Sequence, residues 1–412
     1  MKKMTLRTLP ALMLVAFSGV ASAAAFQLLE QNASGLGTAY AGSAAVADNA
    51  STVFFNPAGM TQLKGFQVSA GVVGVGPSYK FKNDGTSGSG VLAGVSGGNG
   101  GDAGGWAAVP NGYLSWQLTP DLFLGFGVSA PFGLATEYDN DWIGRYQSIK
   151  SEITTINYNP SVAYRINDKV SLGFGLNYQT IDAEMTNATP AGLYRLKGDD
   201  SAWGWNAGAL FTLSPAMRVG ISYRSAMDYT LEGKRELGDS SRSASADLKL
   251  PDTFTLSVWQ QVSDRWEAMG DLSYTRWSSL DILNVKHSGG TDVENFNYKN
   301  SWRFAWGAAY QLNESAKLKF GIAYDRTPVT NQDRTARVPD NDRIWFSLGG
   351  QWNAGRYGKI DLGYAYLHVP DPEISQSKTF RLPSGAALGS STLRGEYDAS
   401  AHILGVQYSV GF

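Results

Sequence analysis

The chain ends on a stretch that alternates with a period of two. Counting back from the terminus, Phe412, Val410, Tyr408, Val406 and Leu404 fall on one face, and Gly411, Ser409, Gln407 and Gly405 on the other. Successive side chains of a strand point to opposite faces of a sheet. Here one face is continuously apolar and aromatic, and the opposite face is small and polar. A strand with lipid on one side and a polar lumen on the other requires this division. A soluble sandwich also alternates, so the recurrence of the pattern and the start of the chain carry the argument.

The pattern recurs from Phe66 onward. Val170, Leu172, Phe174, Leu176 and Tyr178 oppose Ser171, Gly173, Gly175, Asn177 and Gln179, and Leu318, Phe320, Ile322 and Tyr324 oppose Lys317, Lys319, Gly321 and Ala323. Charges inside these runs, Arg165, Arg218, Arg224, Glu267, Asp271 and Asp361, all fall on the non-apolar face. A base facing lipid near the midplane costs about 2–4 kcal/mol, so a membrane barrel demands that segregation. Short turns at Thr119-Pro120-Asp121, Asn167-Asp168, Ser214-Pro215-Ala216, Ser263-Asp264, Asn313-Glu314 and 353–358 alternate with longer loops. The loops are expected around 83–105, 133–148, 187–198, 234–246, 286–294, 327–340 and 369–393, which implies about fourteen antiparallel strands. The mean hydropathy of −0.20 does not oppose this, because alternation averages hydropathy away.

The N-terminus supplies the address. Lys2, Lys3 and Arg7 precede an apolar run from Leu9 to Val20 and then Ala21-Ser22-Ala23, the layout of a secretory signal peptide. The expected divisions are a signal at 1–23, a compact segment at 24–63 and a barrel over 64–412. The middle segment holds Ser34-Gly35-Leu36-Gly37, Tyr40-Ala41-Gly42 and Asn56-Pro57-Ala58, small and turn-forming residues without strand alternation. A segment this short buries no core of its own, so it is expected to pack inside something larger. The location implied is the outer membrane of a Gram-negative cell.

Enzymatic and nucleic-acid readings find little support. There are no cysteines, the formal charge is −2, and His287, His368 and His402 are the only histidines, without metal-ligand spacing. Gly35-x-Gly37 lacks the third glycine and the preceding strand of a dinucleotide loop. No cofactor and no metal is expected. His402 is read as an interfacial girdle residue, and Asp340-Asn341-Asp342 as a loop-strand junction held by Arg343.

Taken in order, several motifs resemble the FadL family of outer-membrane transporters of long-chain fatty acids and other hydrophobic compounds. They are Ala24-Ala25-Phe26-Gln27-Leu28, Ser34 to Gly42, Asn56-Pro57-Ala58, Gly133-Leu134-Ala135-Thr136-Glu137-Tyr138, Trp203 to Gly208, Tyr274-Thr275-x-Trp277-Ser278, Asp325-x-x-Pro328-Val329 and Pro339-Asp340-x-Asp342-Arg343. The resemblance implies an all-β, fourteen-stranded barrel with 24–63 as a plug in its lumen. Its Asn56-Pro57-Ala58 turn would take part in gating, and Phe26 and Leu28 would lie at the substrate site. A break in the third strand at Pro131 and Gly133 would give a lateral exit. Arg145, either a carboxylate contact or a solvated loop charge, and Lys286 are the further substrate-binding candidates.

The chain departs from the family where members carry bases. Asn284 stands at one such position, with Lys286 two residues on. The other falls within Ala183–Asn187, with Arg195 and Lys197 the nearest bases downstream. The expected partners are a long-chain fatty acid or related hydrophobe, outer-membrane lipid, and the barrel-assembly machinery acting on the terminal Phe412 strand. The protein is expected to be a monomer. Channels for aromatic or other neutral hydrophobes, a diffusion porin and a structural barrel remain alternatives.

Overall fold

The computed structural model describes residues 25–382 and 384–412. The expected signal at 1–23 and residue Ala24 lie outside them. The described chain is a closed antiparallel barrel of fourteen strands. The first, Phe66–Asn83, pairs with the last, Ala387–Gly411, from Gln67 opposite Gly411 to Asn83 opposite Gly395. Closure leaves no lipid-exposed sheet edge, the condition for crossing a bilayer with strands.

Between them run Ala107–Gln117, the third strand in two pieces (Leu122–Ser129 and Gly133–Glu137), Lys150–Asn167, Val170–Thr189 and Gly192–Ser214. The seventh to tenth strands are each interrupted: Met217–Arg224 and Met227–Leu237, Ser240–Leu250 and Thr253–Gln261, Trp266–Thr275 and Ile282–His287, Gly290–Asn295 and Ser301–Asn313. Ala316–Asp325, Arg343–Asn353 and Lys359–Val369 complete the ring, the last continued by Glu373–Arg381.

The alternating faces resolve as expected. Leu172, Phe174 and Leu176 are exposed on the outside, where lipid would cover them, while Asn177 and Gln179 are buried in the lumen. His402 lies on the outer face, bonded through Nδ1 to the Tyr364 hydroxyl at 2.9 Å and packed against Tyr366.

Four expected loops are largely strands instead, one of them 369–393, where Glu373–Arg381 pairs with the start of the last strand. The ladders run to tight ends at Thr189–Gly192, Leu237–Ser240 and His287–Gly290, so 187–198, 234–246 and 286–294 are projecting hairpins. Beyond the bilayer the outward face meets water, so the apolar half of the alternation vanishes while the ladder continues. The expected loop at 133–148 is shortened in the same way: Gly133–Glu137 resumes the third strand against the fourth.

Residues 25–63 lie inside the ring as two short helices, Ala33–Leu36 and Thr52–Phe55, and a 3-10 turn, Pro57–Gln62. The wall meets them with glycine. A Cβ at Gly173 would sit 2.2 Å from the Ala58 nitrogen, at Gly220 1.9 Å from the Ala44 oxygen and at Gly321 2.1 Å from the Thr38 carbonyl carbon. These strands therefore require glycine for close backbone approach, which explains many glycines that no turn needs. Lumen charges complete the attachment: Arg165 donates to the Thr61 carbonyl, and Asp271 accepts from Gly42 N at 2.8 Å and Ser43 Oγ at 2.6 Å.

Candidate functional site

The third strand breaks between Ser129 and Gly133, and above the break it no longer pairs with the second strand. Backbone groups freed inside a bilayer must find partners, and here almost every one can be followed. The side-chain amide of Gln31 acts as a strand for Ala130, accepting from its N–H at 3.1 Å and donating to its carbonyl at 2.8 Å. The Pro131 carbonyl accepts from Leu28 N at 2.8 Å. Thr155 Oγ1 accepts from Phe132 N at 3.0 Å and donates to Phe132 O at 2.7 Å. Gly133 N donates to Phe26 O at 2.9 Å. The N-terminal segment is thus an inner patch over a hole in the wall. Proline, which lacks an N–H, stands where the ladder stops.

The same few residues fill an apolar pocket. Phe26 is 2% exposed, with its ring edge-on to Trp277 at 5.0 Å between centroids and tilted to Phe132 at 6.2 Å. Tyr298 packs on the far side of Trp277 at 5.8 Å. Trp277 Nε1 and the Tyr298 hydroxyl are buried with no hydrogen-bond partner. Leu28 reaches Gly133, whose added Cβ would stand 3.1 Å from Leu28 Cδ1. The start of the described chain is held at Ala25, whose N–H donates to Asp340 Oδ2 at 2.8 Å. Asp340 in turn pairs with Arg343 and accepts from Thr327 Oγ1 at 2.6 Å, in keeping with the expected junction.

Below this patch lies a small cavity bounded by Gln27, Leu28, Leu29, Pro131 and Phe132 and, on the wall, by Arg224, Asp271 and Arg303. Farther down, Asn56 ties the segment to the barrel. Its amide donates to the Ala44 and Ala209 carbonyls at 2.7 and 3.0 Å, and its Oδ1 accepts from Ala58 N at 3.1 Å. Pro57 opens the 3-10 turn, where its missing N–H costs nothing, and Ala58 lies against Gly173.

The model of the outer membrane protein transport family, OMPP1/FadL/TodX, matches residues 14–412. The chain belongs to this family. It is 33% identical to outer membrane protein P1 of Haemophilus influenzae strain Rd over 98% of this chain and 97% of that protein. It is 28% identical to the long-chain fatty acid transport protein of Escherichia coli K12, over 86% and 90%. Among solved structures, a Pseudomonas aeruginosa FadL homologue superposes with a TM-score of 0.86 at 24% identity, covering 94% of this chain and all (100%) of that one. The Pseudomonas putida toluene transporter TodX superposes at 0.68 with 15% identity, covering 95% and 100%, a likeness of fold. The protein is therefore an outer-membrane FadL-type channel for hydrophobic small molecules and not an enzyme.

The FadL-type barrel brings Phe26, Leu28, Pro131 and Gly133 into one contact set and keeps Arg145 and Lys286 out of it. Arg145 donates through Nη1 to the Ser96 and Trp142 carbonyls at 2.7 and 2.9 Å, pinning two outer loops together. Lys286 is exposed and bonded to Asp247 at 3.2 Å, on the strand face opposite buried Leu283 and Val285. Lys286 stands two residues from Asn284 and so shares its exposed strand face, which points away from buried Leu283 and Val285. Arg195 is likewise occupied, by Glu184 at 2.8 Å. Gln31 and Thr155 had no role in the sequence reading, and Asp340 only that of a loop-strand junction, because Ala130, Phe132 and Ala25 become their neighbours only when the barrel closes.

Proposed function

We propose that Ala25–Leu28 gates uptake by displacement, with a ligand's apolar body taking the Phe26 pocket and leaving through the break at Pro131–Gly133. One observation carries this reading: the residues that fill the pocket also close the wall, through Leu28 N to Pro131 O and Gly133 N to Phe26 O. Removing them from the pocket therefore unseals the gap as well. Each buried methylene of a ligand gains about 0.8 kcal/mol, enough over a long chain to replace two resident side chains. The substrate is a hydrophobic compound of the fatty-acid or monoaromatic kind, the two classes named for relatives and fold neighbours. The segment at 24–63 acts as the plug and Asn56-Pro57-Ala58 as its fixed end, so gating is confined to the first residues.

The test is growth of an uptake-deficient Gram-negative deletion strain on oleate or on toluene, complemented by this gene or by a variant lacking Phe26–Leu28. Rescue on either carbon source by the intact gene, altered by the trimming, is the expected result. Equal rescue by both forms would dismiss the displacement gate.

A further inference from the structure

The cavity beneath the patch contains four charged side chains, and three are accounted for. Asp271 is taken by Gly42 N, Ser43 N and Ser43 Oγ. Asp325 sits in register between two arginines, Arg303 on one neighbouring strand and Arg343 on the other. Arg303 also donates to Ala39 O at 2.6 Å. Arg224 differs. Its cross-strand neighbours are Asn206 and Thr253, both neutral. It donates to Asn177 Oδ1 and, at 2.9 Å, to Phe54 O, and it lies 4.1 Å over the Phe54 ring. Among the described residues no carboxylate lies within ion-pair distance of it.

A guanidinium withdrawn from bulk water with only neutral partners calls for an anion, and its planar fork suits a carboxylate. The apolar lining of the same cavity is Leu28, Leu29, Phe55, Pro131 and Phe132, with Phe54 directly against the Arg224 guanidinium. An anion that fits this space has an apolar body. We propose that Arg224 seats the carboxylate of an amphipathic ligand in this cavity, with the tail along Leu28 and Phe132 towards the wall break. Ser222 and Thr253 line the same end and supply hydroxyl donors. This rests on the displacement reading and narrows its substrate class to long-chain carboxylates. Asp271 and Asp325 restrict the anion to the Arg224 end.

The experiment is equilibrium binding of dodecanoate, dodecan-1-ol and acetate to the full mature protein in lipid nanodiscs. It compares wild type, Arg224→Gln and Arg224→Lys, each checked for heat-modifiable mobility. Glutamine can still donate an amide hydrogen bond to the Phe54 carbonyl, while the charge is removed. The expected result is a loss of about tenfold or more in dodecanoate affinity for Arg224→Gln, with dodecanol affinity within about twofold and partial recovery in Arg224→Lys. Equal losses for both long ligands would make Arg224 a peg for the plug only and overturn the proposal. So would acetate binding as tightly as dodecanoate, the mark of a small-anion site. Dodecanoate and dodecanol binding unchanged in Arg224→Gln would reject Arg224 and leave the displacement gate standing. Binding of neither long ligand to wild type would reject both.

Discussion

At the scale of single residues, the wall break is held by side chains imitating backbone. Gln31 presents one donor and one acceptor to Ala130, as a neighbouring strand would. Gln31→Leu keeps the volume and leaves both groups unpaired, at about 1–3 kcal/mol for each buried group. The variant is expected to remain a heat-resistant barrel with faster amide exchange around Ala130 and higher basal leakage of a hydrophobic dye. Exchange at the wild-type rate would show that Ala130 has another partner. Glu30, one residue earlier, is fully buried with neither carboxylate oxygen hydrogen-bonded. Burial raises its carboxyl to about 7, against smaller opposing pulls from the nearby backbone of Glu30 itself and then from Arg343 and Arg303. A raised acid favours the packed state while protonated. That contribution is complete below about pH 4.5 and is lost as pH rises through 7, roughly 3 kcal/mol in all. A spin label on the N-terminal segment should report firmer seating at pH 5.5 than at pH 8.5, and Glu30→Gln should flatten the difference. At the other end of the segment, Asn56→Ala removes two bonds to carbonyls and one from Ala58 N. The expected effect is loss of exchange protection in 52–62 and altered uptake, with the barrel itself intact. Unchanged protection and unchanged uptake together would remove Asn56 from the gating account.

At the scale of elements, the third strand is where the fold departs from its own rule. Its alternation over Leu122, Leu124, Phe126 and Val128 was plain in the sequence, and so was the interruption at Pro131 and Gly133. What stops up the interruption was not, since Leu28 and Pro131 lie a hundred residues apart and their pairing is a product of closure. The projecting hairpins were illegible for the opposite reason. Their strands carry polar residues on the outward face and so lose the contrast by which strands are recognised, although Glu184 and Lys197 stand opposite each other in an unbroken ladder. Gly133→Arg tests the exit. Only the end of Leu28 stands close to a side chain introduced there, and that group can turn aside. Uptake should fall about tenfold or more while surface expression and heat-modifiable mobility persist. Wild-type uptake with arginine in place would mean that ligand leaves towards the periplasm.

At the scale of the whole molecule, a ring of fourteen strands would conduct freely if it were empty, and residues 25–63 fill it by pressing backbone against glycine. Reconstituted in planar bilayers, the intact protein should show low, flickering conductance. Removal of Phe26–Leu28 should add brief openings without producing a steady wide pore, since Asn56 and the glycine contacts still retain the remainder. Large steady conductance in the intact protein would instead support a diffusion porin. The inner patch on the third strand has one more consequence. Phe26 and Leu28 are tethered, so the pocket never meets a ligand without also meeting its own resident, present at the millimolar effective concentration that short tethers provide. Entry is then a contest between a dissolved molecule and a captive one. Small solutes with little apolar surface lose it however well they fit, which excludes them by competition and not by diameter.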